Sequence, residues 1–287
     1  MKYTLIINPT SGNKDFNLVL RHIKKRFDGK NLTIYITTKQ GDAIRFAKHA
    51  GSSDVVIAAG GDGSVNEVIN GIMDIPNKKR PRLAILPIGT SNMVARSLSL
   101  PKNIDKAIDT ILYNRRKDID IGKVNDRYFA LACGIGIDAE IYKNVEPKVK
   151  KMFGEIAYPL SFFKTIFNYK PKLLEVKINS NVYLGYYVLI CNIAKFHNML
   201  EIIHDSKDDD GLFDVLIFKK KEVGDLFKFL FGIATKQTHK IQDIISLKAN
   251  NLKITSHHDV IAHADAEIIG KTPIIAKIYE KALEVIC

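Results

Sequence analysis

The chain has 287 residues, 46% of them hydrophobic, and a formal net charge of +12 at pH 7. Its three cysteines are too few and too scattered for a disulfide framework or a zinc site, which favours a reducing, cytoplasmic setting. No stretch approaches the roughly 20 apolar residues that span a bilayer, so the positive charge predicts either an anionic partner or a merely solvated basic surface.

The first 120 residues alternate short apolar runs with amphipathic ones. The predicted strands are Tyr3–Ile7, Leu32–Thr37, Asp54–Ala59 and Leu83–Pro87. The predicted helices are Phe16–Phe27, Asp42–His49 and Val65–Met73, with two more beginning near Asn92 and Ile104. This alternation predicts a doubly wound, mostly parallel sheet, which binds ligands at the carboxyl ends of its strands.

After Asp120 the pattern changes to strands and hairpin signals. The predicted strands are Tyr128–Cys133, Leu174–Ile178, Tyr183–Ile190, Phe213–Phe218, Ile244–Leu247, Lys253–Thr255 and Ile274–Tyr279, with helices over 148–169 and 222–235. We therefore predict an α/β plus β protein with two domains. A doubly wound α/β domain covers 1–124, and a mainly antiparallel β domain covers 125–277. The segment at about 278–287 packs back on the first domain.

One glycine-rich motif carries most of the chemical information. The sequence GGDGSVNE, residues 60–67, follows a predicted strand and opens a predicted helix. A strand, a glycine turn and a helix N-terminus present backbone N–H groups to a phosphate, and glycine lets the phosphate approach closely. Asp62 would repel a phosphate unless a cation stood between them. The motif therefore predicts a nucleoside triphosphate held through a divalent metal.

Two other polar turns follow predicted strands in the same half of the chain. NPTSG occupies residues 8–12, and LPIGTSN occupies 86–92, where Thr90 can donate to a phosphate and Asn92 can cap a helix. Each turn by itself is typical of an ordinary strand-to-helix connection. Three such turns at one sheet edge indicate a phosphate site.

The motifs NPTSG, GGDGSVNEVINGI and LPIGTSNMVARSL, in this order and spacing, resemble the diacylglycerol kinase catalytic family of lipid kinases, over essentially the whole chain. The resemblance implies ATP as donor, Mg²⁺ as cofactor and a lipid hydroxyl as acceptor, most simply that of diacylglycerol. It also implies an active site in the cleft between the two domains. The nucleotide contacts that it implies are Asn8, Pro9, Thr10, Ser11, Gly12, Thr37, Gly61, Asp62, Gly63, Ser64, Val65, Asn66, Glu67 and Thr90.

The same resemblance assigns roles to later residues. Asp120 would join the metal and water network beside Asp62. Glu267 would be the general base on the lipid hydroxyl, and Asp265 would orient it or its water. A structural Mg²⁺ would be held by Lys207, Asp210 and Leu212, although the aspartates at 208–210 are by themselves typical of a solvated turn.

The chain departs from the family pattern at two positions. Met93 stands where diacylglycerol kinases have an aspartate, and Ala266 replaces the glycine of the DGE signature. If residue 266 has a positive φ, alanine costs on the order of 1 kcal/mol there. The alternatives to a lipid kinase are therefore an NAD-kinase-like enzyme and a catalytically impaired relative that only binds lipid or nucleotide.

The expected partner is a lipid substrate at an anionic membrane surface, reached by a cytoplasmic protein that associates with the membrane peripherally. No nucleic-acid motif is present in the sequence, and a homodimer is left open. Aromatic side chains over 162–169 and 226–233 are consistent with a membrane-facing or acyl-binding surface, or with helices that pack on the β domain.

Overall fold

A computed structural model describes residues 1–12, 15–144, 169–193, 206–222, 224–225 and 243–287. The chain divides into two compact units, which we call the first unit (Met1–Ile121 with Lys281–Cys287) and the second unit (Gly122–Glu280). The sequence predicted the domain boundary between residues 124 and 125, and it predicted that the segment that returns to the first domain begins at about residue 278. Most of the two predicted helices over 148–169 and 222–235, with all of their aromatic residues except Tyr169, lies outside the described residues. The cleft expected between the domains stays a prediction.

The first unit is built on a parallel sheet. Its strands are β1 (Lys2–Ile7), β2 (Asn31–Ile36), β3 (Val55–Gly60) and β4 (Arg82–Pro87), in the order β2-β1-β3-β4. The helices are α1 (Phe16–Arg26), α2 (Asp42–His49), α3 (Asp62–Met73), α4 (Met93–Ser97) and α5 (Ile104–Tyr113), with a 3₁₀ turn at Asn77–Lys79. All three pairings within this set are parallel, which confirms the predicted α/β architecture.

The buried strands of this sheet explain why its pattern was readable from sequence. Strand β3 is buried along its whole length, as a parallel strand covered on both faces must be, and its sequence is a continuous apolar run. Helix α1 begins where the Asp15 side chain accepts from the N–H groups of Asn17 and Leu18, at 2.7 and 3.1 Å. Helix α3 begins at Asp62, three residues before the predicted start at Val65.

The second unit contains antiparallel strands in two groups. One group has the order β12-β11-β10-β7-β14-β15 and consists of β7 (Ala132–Ile135), β10 (Tyr187–Cys191), β11 (Phe213–Phe218), β12 (Ile244–Ala249), β14 (Ile261–Ala264) and β15 (Glu267–Lys271). The other group has the order β13-β8-β9 and consists of β8 (Leu174–Ile178), β9 (Asn181–Gly185) and β13 (Asn251–Thr255). Apolar residues of both groups form one buried cluster, as expected for a β domain.

The remaining elements connect these groups. Strand β6 (Arg127–Phe129) pairs with β5 (Arg116–Val124), and helix α6 (Ile137–Asn144) follows β7. Strand β16 (Ile274–Ile286) pairs with β13 in the second unit, and its last residues pair with β4 in the first. Within the described residues, no helix is long and apolar enough to cross a bilayer.

Two predicted strands are each divided in the structure. The predicted strand Tyr183–Ile190 is β9 and β10, which belong to different groups of strands and separate at Tyr186. Gly185 is needed at this point, because a Cβ there would lie 2.5 Å from the side chain of Ile217. The predicted strand Tyr128–Cys133 is likewise divided into β6 and β7.

Candidate functional site

Three strand-to-helix turns of the first unit pack against one another at the carboxyl edge of its sheet. They follow β1, β3 and β4, and they are the three turns that the sequence singled out. The N–H of Gly89 donates to the carbonyl of Gly60 at 3.3 Å, and Asn8 Nδ2 donates to Ser64 Oγ at 3.2 Å. The sequence-predicted phosphate turns therefore form one structural feature.

Glycine is required where these turns meet. A Cβ on Gly89 would lie 2.4 Å from the Cα of Gly61, and one on Gly60 would lie 2.5 Å from the Cβ of Ser64. Gly12 has a φ of +72°, and its Cβ would lie 2.1 Å from a backbone carbonyl oxygen of the third turn. The explanation that we predicted for Gly60, the approach of a phosphate, is therefore incomplete, because the Ser64 side chain of the same turn already excludes a Cβ there.

The first turn of α3 provides donors for an anion. A helix leaves its first N–H groups without intrahelical acceptors, and Gly63 and Ser64 lie in that turn. Gly63 is exposed, as are Thr10 and Thr90 in the neighbouring turns, so a ligand can reach them. Asn8 shapes its own turn, because its Oδ1 accepts from the N–H and the hydroxyl of Thr10, at 3.0 and 2.9 Å. Pro9 and Ser11 are half-buried in the same turn.

The carboxylate of Asp62 lies at the start of two helices. It is the first residue of α3, and its Oδ1 accepts from the N–H of Val94 in the first turn of α4, at 3.0 Å. Mg²⁺ in kinases is usually held by one or two carboxylates together with substrate phosphates. The described part of the chain contains no group of three or more His, Cys, Asp or Glu side chains suited to a metal. A single carboxylate at the N-terminus of α3 is compatible with a metal that arrives with the nucleotide.

Asp120 is buried and contacts backbone. Asp120 is 1% exposed, and its Oδ1 accepts a hydrogen bond from the N–H of Lys281 at 2.7 Å. This contact ties β5 to the returning end of β16 within the first unit. The predicted role of Asp120 in a metal and water network stays a prediction.

Glu67 uses both carboxylate oxygens on backbone donors. It is 8% exposed, and it accepts from the N–H groups of Gly41 and Ala43, at 2.9 and 3.2 Å. These donors flank the start of α2, where a negative charge interacts favourably with the helix dipole. The contacts make Glu67 a residue that holds the 37–43 turn in place, which the sequence reasoning missed.

The same turn contains a second strongly bonded carboxylate. Asp42 Oδ2 accepts from the N–H and the hydroxyl of Thr38 at 2.9 and 2.8 Å, and from the N–H of Lys39 at 3.1 Å. These hydrogen bonds from Thr38 lower the pKa of Asp42 to about 2. The turn is therefore fixed by two carboxylates, that of Asp42 within the turn and that of Glu67 from α3.

Three further predicted nucleotide contacts are buried. Val65 lies in the interior of the first unit, and Asn66 accepts at its Oδ1 from Asn70 Nδ2 at 3.0 Å. Thr37 donates its N–H to the carbonyl of Ile7 at 3.0 Å. These three residues are buried, whereas Thr10, Gly63 and Thr90 are exposed.

In the second unit, the turn between β14 and β15 carries Asp265 and is followed by Glu267, the two residues predicted to act on the lipid hydroxyl. Asp265 is buried, and its two oxygens accept from the N–H groups of residues 130, 131 and 132 at 2.8, 2.9 and 3.1 Å. Asp265 therefore anchors the turn to the β6–β7 connection. The predicted role of Asp265, to orient Glu267 or its water, stays a prediction beside these backbone partners.

Glu267 has a partner that sequence reasoning missed. Its Oε2 lies 2.5 Å from Arg127 Nη2, and both side chains are about one-quarter exposed, at 28% and 24%. No spacing or motif links the two positions, which are 140 residues apart in the chain. Arg127 fixes the direction of the Glu267 side chain and leaves it partly open to solvent.

At the predicted structural Mg²⁺ site, Asp210 pairs with a lysine side chain. Asp210 Oδ2 lies 2.7 Å from Lys248 Nζ, and Asp210 Oδ1 accepts from the N–H of Leu212 at 3.2 Å. Lys207 is exposed. The ammonium of Lys248 neutralises the Asp210 carboxylate in this structure, and the structural Mg²⁺ site stays a prediction.

Two family models together match nearly the whole chain. A family model described as the diacylglycerol kinase catalytic domain matches residues 2–124, and one described as the YegS C-terminal NAD kinase beta sandwich-like domain matches residues 132–287.

Individual diacylglycerol kinases are similar to this chain over most of its length. The chain is 33% identical to a diacylglycerol kinase of Bacillus subtilis and 35% identical to one of Staphylococcus epidermidis. These matches cover 94% of this chain and 90% and 86% of the relatives, respectively. A crystal structure of a putative diacylglycerol kinase from Bacillus anthracis has a TM-score of 0.83 and 29% identity, over 99% of this chain and 96% of that one.

Proposed function

The chain belongs to the diacylglycerol kinase family of lipid kinases, and on that premise we propose that it transfers the γ-phosphate of ATP to the hydroxyl of diacylglycerol, giving phosphatidic acid. The observation that carries the proposal is the packing of three polar turns beside the N-terminus of α3. That packing gathers backbone N–H groups and exposed threonine hydroxyls at one sheet edge, which suits a polyphosphate.

In the proposed reaction the first unit binds the nucleotide. The N–H groups of Gly63 and Ser64 donate to phosphate oxygens, and the hydroxyls of Thr10 and Thr90 add donors from the neighbouring turns. Mg²⁺ bound with ATP would take Asp62 as a ligand and would neutralise the charge that develops on the phosphates. Glu67 acts indirectly, because it holds the 37–43 turn beside the nucleotide residues.

The second unit supplies the base for the acceptor. Glu267 accepts the proton of the lipid hydroxyl while the hydroxyl oxygen attacks the γ-phosphorus. Such general base catalysis contributes about 10²–10⁴-fold in rate. Arg127 fixes the orientation of that carboxylate, and Asp265 fixes the backbone that carries it. The bond to the γ-phosphate passes from the β–γ bridging oxygen of ATP to the lipid oxygen, and ADP leaves.

The net charge of +12 supports a lipid acceptor presented at an anionic membrane surface, with peripheral association of a cytoplasmic protein. The rival reading with a specific observation behind it is an NAD-kinase-like enzyme, because the matched description of the C-terminal half names NAD kinase. NAD is therefore an obligatory alternative acceptor in any assay of this chain.

Two substitutions test the assignment of roles. Asp62→Asn should abolish turnover and the Mg²⁺ dependence of ATP binding while the turn keeps its glycines. Glu267→Gln should lower kcat by about 10²–10⁴-fold with little change in ATP binding, because an amide cannot accept the proton. Asp74→Asn, at the opposite end of α3, is the matched control and should keep full activity. Full turnover in a folded Asp62→Asn protein would refute the metal-bridged nucleotide.

A further inference from the structure

The turn that carries Glu267 has an unfavourable backbone. It is a two-residue connection between β14 and β15, formed by Asp265 and Ala266, whose φ angles are +47° and +67°. Positive φ at both positions is typical of the tight turns that join antiparallel strands, and asparagine or glycine normally occupies them. The backbone of Ala266 is therefore in a conformation that an L-residue rarely adopts, and interactions with neighbouring residues must stabilise it.

The side chain of His263 bonds to this strained position. Its Nδ1 accepts from the N–H of Ala266 at 3.3 Å, and its Nε2 lies 2.8 Å from Asp138 Oδ2. An amide can only donate, so Nδ1 must be the unprotonated nitrogen, and Nε2 must carry the hydrogen that Asp138 accepts. The two contacts fix one neutral tautomer of a histidine that is 5% exposed.

Asp138 is itself held on several sides. The hydroxyl of Tyr187 donates to Asp138 Oδ2 at 2.8 Å, and the N–H of Ala139 donates to Oδ1 at 2.7 Å. Burial, and then the charge of Asp138, raises the pKa of Tyr187, so its phenol stays a donor. A Cβ at residue 134 would lie 1.8 Å from Asp138 Oδ2, so glycine at this position leaves room for the carboxylate.

We propose that His263, oriented by Asp138, is a positioning residue that holds the Ala266 turn and through it the carboxylate of Glu267. The histidine compensates for an alanine at the position where the related signature has glycine. In its kinetic consequences this inference rests on the proposed function. Its structural consequence, an anchored Ala266 N–H, does not.

Two conservative substitutions separate the two bonds of the histidine. Asparagine places an amide oxygen near the position of Nδ1, so His263→Asn keeps an acceptor for Ala266 and loses the contact with Asp138. Glutamine places its amide nitrogen near Nε2, so His263→Gln keeps the donor to Asp138 and loses the acceptor for Ala266.

The two variants should therefore rank in opposite order for turnover and for stability. His263→Gln should lower kcat about five- to tenfold with an unchanged KM for ATP, because one hydrogen bond that positions the base is lost. His263→Asn should keep kcat within about twofold and should have the lower melting temperature, because it leaves the half-buried Asp138 short of a donor. If the variant with the lower melting temperature is also the one with the lower kcat, the role of His263 is only structural and the proposal is wrong.

Ala266→Gly provides an internal rescue. Glycine adopts a positive φ without strain, so the turn no longer depends on the histidine. Ala266→Gly should restore most of the kcat that His263→Gln loses, and it should raise kcat more in that background than in the parent chain. Equal effects of Ala266→Gly in both backgrounds would show that the positions are not coupled and would overturn the proposal.

Hydrogen exchange tests the anchor without any substrate. The amide of Ala266 should exchange about tenfold faster in His263→Gln than in the parent chain, and at nearly the parent rate in His263→Asn. Unchanged exchange in His263→Gln would refute the bond. If the parent chain phosphorylates no lipid in the assay but the exchange results hold, the proposed function fails and the positioning of the turn stands.

Discussion

Replacing Glu67 by glutamine tests the reassignment of a motif residue from ligand contact to support. The sequence placed Glu67 among the nucleotide contacts, whereas its oxygens accept from the N–H groups of Gly41 and Ala43, at 2.9 and 3.2 Å. Glutamine has nearly the same shape but only one oxygen. Its amide nitrogen would face one of the two N–H groups, which would leave that donor without a partner in a buried place.

The size of the effect follows from these contacts. A hydrogen bond to a charged group contributes roughly 1.5–3 kcal/mol, and the remaining bond of glutamine is to a neutral acceptor. We therefore expect Glu67→Gln to lower the free energy of unfolding by about 2–4 kcal/mol. At roughly 2–4 °C per kcal/mol for chains of this size, the melting temperature should fall by about 5–15 °C.

The measurement is thermal unfolding of the nucleotide-free protein, followed by circular dichroism. Glu284→Gln is the matched control, because Glu284 has the same charge but forms partly exposed ion pairs with Arg82 and Arg116. Such pairs contribute at most about 1 kcal/mol, so the control should unfold within a few degrees of the parent chain. An unchanged melting temperature in Glu67→Gln, together with weaker ATP binding, would show that Glu67 contacts the nucleotide and that the support role is wrong.

Three other predictions concern charge. The pKa of Asp42 lies near 2 against an ordinary value of 3.8, so its contribution to stability is complete above about pH 4 and is lost as the pH falls toward 2. Asp42→Asn should remove that part of the acid dependence of the melting temperature, and an identical pH profile would contradict it. Mg²⁺ should raise the melting temperature of Lys248→Met more than that of the parent chain, because the lysine occupies the predicted cation position beside Asp210; an equal response in both would argue against this displacement. The chain should sediment with vesicles of phosphatidylcholine and phosphatidylglycerol at low salt and dissociate as salt rises, and equal sedimentation with pure phosphatidylcholine would refute a role for charge.

The first unit was predictable because its physics is local. Parallel strands that are buried on both faces are continuous apolar runs, and each run here ends in a turn of glycine and small polar residues. The helix Asp42–His49 of the first unit was predicted with the bounds that the structure gives it, and so was the strand Phe213–Phe218 of the second unit. At Ala266 the sequence left the sign of φ open, and the structure gives +67°.

Other features depend on contacts that the sequence does not encode locally. A single apolar run, Tyr183–Ile190, contributes to two groups of strands, and only the crowding at Gly185 explains where it divides. The β14–β15 hairpin was missed because its turn, Asp265-Ala266, lacks the glycine or asparagine that signals such turns. The partnership of Arg127 with Glu267 joins residues 140 positions apart, so neither periodicity nor spacing could reveal it.

The most direct test of the central claim is transfer of labelled γ-phosphate from ATP by the purified chain with Mg²⁺. The acceptors should be diacylglycerol, sphingosine and phosphatidylglycerol in mixed vesicles, and NAD in solution, with Asp62→Asn and Glu267→Gln as inactive controls. The account predicts labelled phosphatidic acid from the parent chain and its loss in both variants. Labelled NADP, or no labelled lipid from any acceptor in a folded protein that binds ATP, would contradict it.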